Sequence, residues 1–322
     1  MKTVSIIIPL YNAHRYLERC MKSVMAQTYP HIEIIFVNDG STDNSCELLD
    51  EYVKKYNGAS FSIRIISHQE NRGIAASRNT GISNATGDYI YMLDSDDYIE
   101  KDAIEIMVEK ANEEDSDIVF GDLYLHTREL VEEIKQPRYE NKQSFIRGMI
   151  SPGFFHSVWN KLMKRSLFYE HDIKAVEGCN IGEDQIIMTQ VSYYATHISY
   201  VDRYTYHYDC TNPNSISNNS LNSFKEKSAN QLMESASYIK SFLKDKEPSY
   251  YEMASQSQFH HFVFCLSNLC RSKQKEAYYN FLKRHNNIDK KYWTLNEWQK
   301  PIFSLIISNY HLMFLYLKRK KS

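Results

Sequence analysis

The first hundred residues repeat one unit: a short apolar run, a polar loop, then apolar residues at helical spacing. Thr3 to Ile8 is a β-branched run stopped by Pro9; a turn at Tyr11-Asn12 follows, and Leu17, Cys20, Met21 and Val24 then share a helical face. Ile32 to Val37 repeats the strand signal before the loop Asn38-Asp39-Gly40-Ser41-Thr42-Asp43 and a helix presenting Cys46, Leu49 and Val53. Phe61 to Ser67 is a third strand, Ala75 to Asn79 a short helix, and Tyr89 to Leu93 a fourth strand. Strands alternating with helices fold as a parallel sheet with right-handed crossovers. Three of the strand ends carry polar loops, Pro9 to Asn12, Asn38 to Asp43 and Asp94 to Asp97. In a parallel sheet these converge on one crevice, the expected place for a nucleotide.

The fourth strand ends in Asp94-Ser95-Asp96-Asp97, a concentration of like charge that folding alone does not favour. Hard oxygen ligands at a strand end suit Mg²⁺ or Mn²⁺ carrying a phosphate. The alternative is an ordinary acidic helix start, with Asp94 as cap and the others solvated in the first turn. The chain has neither GxGxxG nor GxxxxGK[ST], so no Gly-rich turn cradles phosphates and a cation has to neutralise them instead. That favours the metal reading.

Further along, Lys101 to Ala111 reads as a helix burying Ile104, Val108 and Ala111, and Asp117 to Phe120 as a strand. Residues 128–142 are charged and aperiodic, a surface loop. Asp184 opens a helix, Thr196 to Val201 and Arg203 to Tyr208 read as paired strands, and Thr211 to Ser220 as a loop. After residue 220 the strand signal stops and three or four helical segments follow, which sets domains of 1–220 (halves 1–127 and 128–220) and 221–322. At 322 residues and 43% hydrophobic content the chain can bury a core of that size. A formal charge of −2 gives no overall attraction for nucleic acid. Six cysteines without metal-like spacing, and nothing ahead of them that reads as a signal peptide, point to a reducing cytoplasm. Twenty-five Tyr and fifteen Phe exceed what packing needs and suit sugar, protein or membrane contacts.

The ordered motifs resemble the inverting glycosyltransferases of family 2, which have a GT-A nucleotide-binding fold and build capsule, lipopolysaccharide and related bacterial glycans. They run from Val4–Asn12 and Glu33–Asp43 through Asn71-Arg72-Gly73, Arg78-Asn79, Gly87-Asp88-Tyr89 and Leu93–Asp97 to Trp159-Asn160-Lys161-Leu162 and Glu183-Asp184. The similarity covers residues 1–217. It implies an α/β GT-A fold, Rossmann-like with a mostly parallel sheet, followed by a small all-helical region. It implies a UDP-sugar donor, Mn²⁺ or Mg²⁺, and a glycan or lipid-linked glycan acceptor. On the matching positions, Asp39 holds the base, and Pro9, Tyr11 and Asn12 form the first nucleotide loop. Asp94-Ser95-Asp96 is the DxD motif, Asp96 the direct metal ligand and Asp94 the contact to ribose and metal. Arg78 suits the diphosphate, against a plain surface cation. Asp184 is the base for the acceptor hydroxyl. Asp97 is taken as the cap of the next helix, with a second metal ligand as the alternative. Tyr206-His207-Tyr208 and Ser215-Ile216-Ser217 resemble a closing segment in which a basic residue often follows the second aromatic. Here that position is Asp209, which puts the cationic clamp in doubt; His207 is the candidate substitute, against a simple strand histidine. Trp159 is a sugar platform or core, and Lys161 an anion contact or a solvated side chain.

Two other classes are weighed. A sugar nucleotidyltransferase needs a Gly-rich amino-terminal loop that Pro9-Leu10-Tyr11-Asn12 does not supply, and a non-catalytic nucleotide-sugar-binding scaffold has no use for a base at Asp184. No run of about 18 uninterrupted apolar residues is present, so no spanning helix is expected. Ile302 to Leu317, ahead of Lys318-Arg319-Lys320-Lys321, reads either as a peripheral contact with the inner face of the cell membrane or as a helix packed on the tail bundle or in a homodimer.

Overall fold

The computed structural model describes residues 1–56, 61–151, 156–213, 215, 225–285, 287–288 and 313. Ile302 to Leu317, apart from Met313, and the Ile216-Ser217 part of the closing segment lie outside the described residues. Contacts divide the chain into two units, one of residues 1–149 and 154–212, the other of 150–153 and 213–322.

The first unit begins with β1 (Val4–Leu10), α1 (His14–Met25), β2 (Ile32–Asn38), α2 (Ser45–Tyr56), β3 (Ser62–Ser67), α3 (Ile74–Asn84) and β4 (Tyr89–Met92). There follow β5 (Tyr98–Ile99), α4 (Ala103–Glu114), β6 (Ile118–His126), β7 (Val131–Ile134) and α5 (Lys142–Ile150). The unit closes with β8 (Lys161–Lys164), α6 (Arg165–Glu170), α7 (Glu183–Tyr194) and β9 (Ile198–Asp209). One sheet runs β3-β2-β1-β4-β8-β6-β9-β5, with β7 added on β6. Its first four strands are parallel, as the alternating pattern predicts; β8 pairs antiparallel with β4 and β6, and β9 parallel with β6.

Period-2 alternation explains why β1 has no polar face. Val4, Ile6 and Ile8 pack on one side with Leu17, Cys20, Met21 and Val24 of α1, while Ile7 packs on the other with Ala75 and Ile82 of α3 and Val191 of α7. Helices cover both faces, as a parallel sheet requires. Each fully buried aliphatic side chain contributes about 1.5–3 kcal/mol, so the face of α1 alone outweighs its weak intrinsic capping.

Four local expectations are corrected. β1 continues through Pro9 to Leu10: beyond Ile7, which pairs with Met92, only β2 still pairs with it, and such a strand edge tolerates proline. Residues 128–142 contain β7, a short antiparallel edge strand whose exposed Glu132 and Glu133 make it a poor template for further pairing. The pair of strands expected over 196–208 is one strand, β9, parallel to β6. The apparent break at Asp202-Arg203 is an irregularity in register near Asp122, with both side chains exposed and ion-paired, Asp202 to Arg138 and Arg203 to Asp102. Asp97 does not cap a helix, because β5 intervenes and α4 starts at Ala103 behind Asp102.

The described part of the second unit contains α8 (Glu226–Phe242), α9 (Pro248–Arg271) and α10 (Lys275–Arg284), closed around Met233, Phe262, Cys265, Leu266, Leu269 and Phe281. Among the described residues no helix is long and apolar enough to cross a membrane.

Candidate functional site

The carboxyl ends of β1, β2, β3 and β4 bring the polar loops to one edge. Tyr11 is 49% exposed there. Asn12, in the left-handed region at φ 50°, accepts from the backbone N–H of Thr42 (2.8 Å) and Asp43 (3.3 Å) through Oδ1, which ties the first loop to the second. Pro9 lies within β1 itself and is buried.

Asp39 follows β2 and is 3% exposed. Its Oδ1 accepts from the backbone N–H of Arg72 (2.9 Å) and lies 2.7 Å from Nδ1 of His68; its Oδ2 accepts from the N–H of Gly73 (2.7 Å). Gly73 has φ 92°, and a Cβ there would run into Asn180, so the residue must be glycine for its N–H to reach the carboxylate.

Arg78 on α3 is the hub. Its side chain is 3% exposed; Nη2 donates to Asp94 Oδ1 at 3.0 Å, Nη1 to Glu183 Oε1 at 2.7 Å, and Nη1 also meets Asp184 Oδ1. Burial works against its charge, but Asp94 and Glu183 outweigh burial and raise its pKa. The plain surface-cation reading of Arg78 is therefore excluded. Glu183 and Asp184 form the first turn of α7 behind Gly182, where the helix dipole favours acids. Burial pushes the Glu183 carboxyl up, against the pull of Arg78.

Beside this hub the acid loop is tied to the end of β9. Asn212 Nδ2 donates to Asp96 Oδ2 at 2.8 Å. Asp97, 1% exposed, accepts from Tyr206 Oη (2.6 Å) and from the backbone N–H of Asp209 (2.7 Å). Arg19 of α1 donates to the Asp96 carbonyl (2.7 Å) and to Asp209 Oδ2 (2.5 Å). Burial, then the neighbouring Asp94, pushes the Asp96 carboxyl up to about 6; burial followed by Asp96 and Asp94 pushes Asp97 well above the usual carboxylate range. Four carboxylates, of Asp94, Glu183, Asp184 and Asp209, thus pair with two guanidinium groups, while those of Asp96 and Asp97 accept from neutral donors. Ser95 is half-buried between the two outer acids of the motif.

His207 is not brought to these acids. Adjacent residues of a strand point to opposite faces: Tyr206 joins Asp97, whereas His207 stacks on Tyr98 (4.1 Å between centroids) and bonds Glu100 and His126, both at 2.9 Å. Burial lowers its pKa despite Glu100. The cation near the end of β9 is Arg19, which arrives from a distant helix and compensates for Asp209. Trp159 is 5% exposed and stacked against Tyr206 and Tyr208, which makes it core. Lys161 is fully buried, with Nζ 3.4 Å from Ser157 Oγ, so it is not a solvated side chain.

Among the described residues no group of three or more His, Cys, Asp or Glu side chains has the geometry of a metal site built from protein alone. The residues nevertheless fit a divalent ion of another kind. Mg²⁺ and Mn²⁺ commonly take only one or two carboxylates and complete their shell from substrate phosphates, and burial together with the neighbouring Asp94 pushes the Asp96 carboxyl up, an environment that a bound cation would offset.

Sequence reasoning missed Arg19, Asn212 and His68, named Tyr206 only as part of the closing segment, and gave Glu183 no role of its own. His68 was within its reach, since it follows β3 on the same edge as the three polar loops. Arg19 and Asn212 carried no local signal, because their partners lie 190 and 116 residues away.

Residues 5–175 match the family described as Glycosyl transferase family 2. The glycosyltransferase GlyG of Streptococcus pneumoniae serotype 4 is 36% identical over 181 residues, which is 52% of this chain and 58% of that protein; the chain thus spans less than two thirds of this relative's length. Residues 1–349 of Staphylococcus aureus TarS, solved in complex with UDP-GlcNAc, superpose with a TM-score of 0.73 at 20% identity, covering 99% of this chain and 92% of that one. The mannosyltransferase PcManGT of Pyrobaculum calidifontis, solved with GDP-Man and Mn²⁺, gives a TM-score of 0.57 at 15% identity, covering 100% of this chain and 88% of that one. The α/β GT-A architecture followed by a helical region, expected from the sequence, is the fold of this chain.

Proposed function

The chain belongs to glycosyl transferase family 2, and from that premise we propose that it moves a hexosyl or N-acetylhexosaminyl group, with inversion, from a UDP-sugar to a hydroxyl of a glycan or lipid-linked glycan acceptor in bacterial polysaccharide synthesis. The observation that carries the reading is the cluster around Arg78, in which Asp94 from the acid loop and Glu183-Asp184 from α7 share one buried guanidinium. The cluster supports the reading because it ties the acid loop to the first turn of α7. The UDP-GlcNAc bound by TarS and the GDP-Man and Mn²⁺ bound by PcManGT support a nucleotide-sugar donor and a metal for this chain as well.

In this mechanism Asp39 holds the base, and Tyr11 lays its exposed ring on it. Asn12 and Pro9 shape the first loop, and Ser95 spaces the acids on either side. Asp96, with Asp94 beside it, would hold Mn²⁺ or Mg²⁺, which would supply positive charge against the diphosphate of the leaving UDP. Asp184 accepts the proton of the acceptor hydroxyl while that oxygen bonds to the anomeric carbon, on the face opposite the breaking bond to the diphosphate. Glu183 shares Arg78 with Asp184 and so takes part of its charge, and Asp184 is the more exposed of the two acids. The test is a panel of nucleotide sugars with Mn²⁺, scored by thermal shift and by sugar release. Stabilisation and hydrolysis by a UDP-sugar are expected, and both should be lost in Asp96→Ala. A response confined to another nucleotide, or none to any nucleotide sugar, overturns the proposal.

A further inference from the structure

Behind Asp39 stands a chain of part-buried polar groups that the transfer step does not use. The side chain of His68 is 6% exposed; its Nδ1 is 2.7 Å from Asp39 Oδ1 and its Nε2 2.9 Å from Thr80 Oγ1 on α3. An ionised carboxylate only accepts, so Nδ1 carries a proton, and in the neutral imidazole the lone pair on Nε2 accepts from the threonine hydroxyl. The backbone N–H of His68 donates to the Asn38 carbonyl at 2.9 Å, which fixes the ring relative to β2. A carboxylate offers about four acceptor positions on its two oxygens. Oδ1 spends both on Arg72 and His68, and Oδ2 spends one on Gly73. One acceptor position remains, on Oδ2 alone, at the edge where β1, β2 and β4 end.

We propose that His68 and Thr80 are positioning residues that lock the Asp39 carboxylate so that its one spare acceptor selects a nucleobase with an imide N–H. The inference rests on the reading of Asp39 as the base contact and goes beyond it. Uracil presents N3–H to such an acceptor. Cytosine presents a lone pair at the same position, and a nearly buried carboxylate facing a lone pair stays unsatisfied. Without the relay Oδ1 is held by Arg72 alone and regains an acceptor position, so that either oxygen, or a water, meets the base. Discrimination then falls, while contacts to the diphosphate and metal are untouched.

The experiment measures UDP and CDP affinity in the presence of Mn²⁺ by calorimetry on the full chain and reads their ratio. The native protein should prefer UDP by about tenfold to a hundredfold, the scale of one unsatisfied buried polar group. His68→Leu should cut that ratio about tenfold, and Thr80→Val should cut it less. His68→Asn, whose amide N–H can take the place of Nδ1–H, should restore most of it. A merely structural histidine would lower both affinities together and leave the ratio alone, which overturns the proposal. Asp39→Asn separates the two ideas. If it leaves the ratio unchanged, the reading of Asp39 fails; if it abolishes the ratio while His68→Leu and Thr80→Val keep it, the relay fails. Should His68→Leu not fold, Thr80→Val carries the same decision, and an unchanged ratio there counts against the relay.

Discussion

A fully buried lysine within two residues of the Trp159 stack makes Lys161 the least ordinary single residue of the fold. Burial lowers its pKa to about 7. The unfolded chain, with an ordinary lysine, binds more protons than the folded one between pH 7 and the normal lysine range, so this residue destabilises the fold most below pH 7 and progressively less as pH rises. Lys161→Met should therefore raise stability to urea at pH 7. Its advantage over the native protein should shrink by about 1–2 kcal/mol at pH 9, as one or more units of the shift are removed. Equal gains at both pH values would show that the lysine is not titrating in the fold. Asp97 is the converse case: a buried acid pushed upward and held by two donors. Tyr206→Phe removes one of them and should cost about 1–3 kcal/mol in urea unfolding, with no change in folded secondary structure.

At the scale of elements, the loops are latched to their neighbours through few contacts, and one of these is open to test. Arg19 joins α1 to the acid loop and to the end of β9. Arg19→Gln should weaken Mn²⁺-dependent UDP affinity severalfold and also lower the unfolding midpoint, since it leaves the buried Asp209 without its cation; unchanged affinity would assign the contact to stability alone. What the sequence revealed at this scale follows from local physics. The strands β1 to β4 and the helices α1 and α4 were legible because burial imposes periods of 2 and 3.6 on consecutive residues. The acids of the fourth strand end were legible because the sheet concentrates charge there. β9 was misread because Asp202-Arg203 has the polarity of a turn, and only its pairing with β6 shows that the strand continues. The partners of Arg78 were hidden for the same reason: Glu183 lies 105 residues away, and nothing in the neighbourhood of either residue announces the other.

Over the whole molecule, the excess of aromatic residues finds a packing role that composition could not reveal. Tyr98, Tyr124, Tyr204 and His207 form one stacked series on the outer strands, and Trp159, Tyr206 and Tyr208 a second, next to the acid loop. None of the six cysteines forms a disulfide, and Cys20, Cys179, Cys265 and Cys270 are buried. The central claim, that the Arg78 cluster joins a donor site to a catalytic base, meets its most direct test in Asp184→Asn. UDP affinity with Mn²⁺ and the rate of sugar transfer to the acceptor are measured on the same preparation. The account predicts native UDP affinity with transfer slowed about 10²–10⁴-fold, the usual contribution of a general base; transfer at the native rate would contradict it.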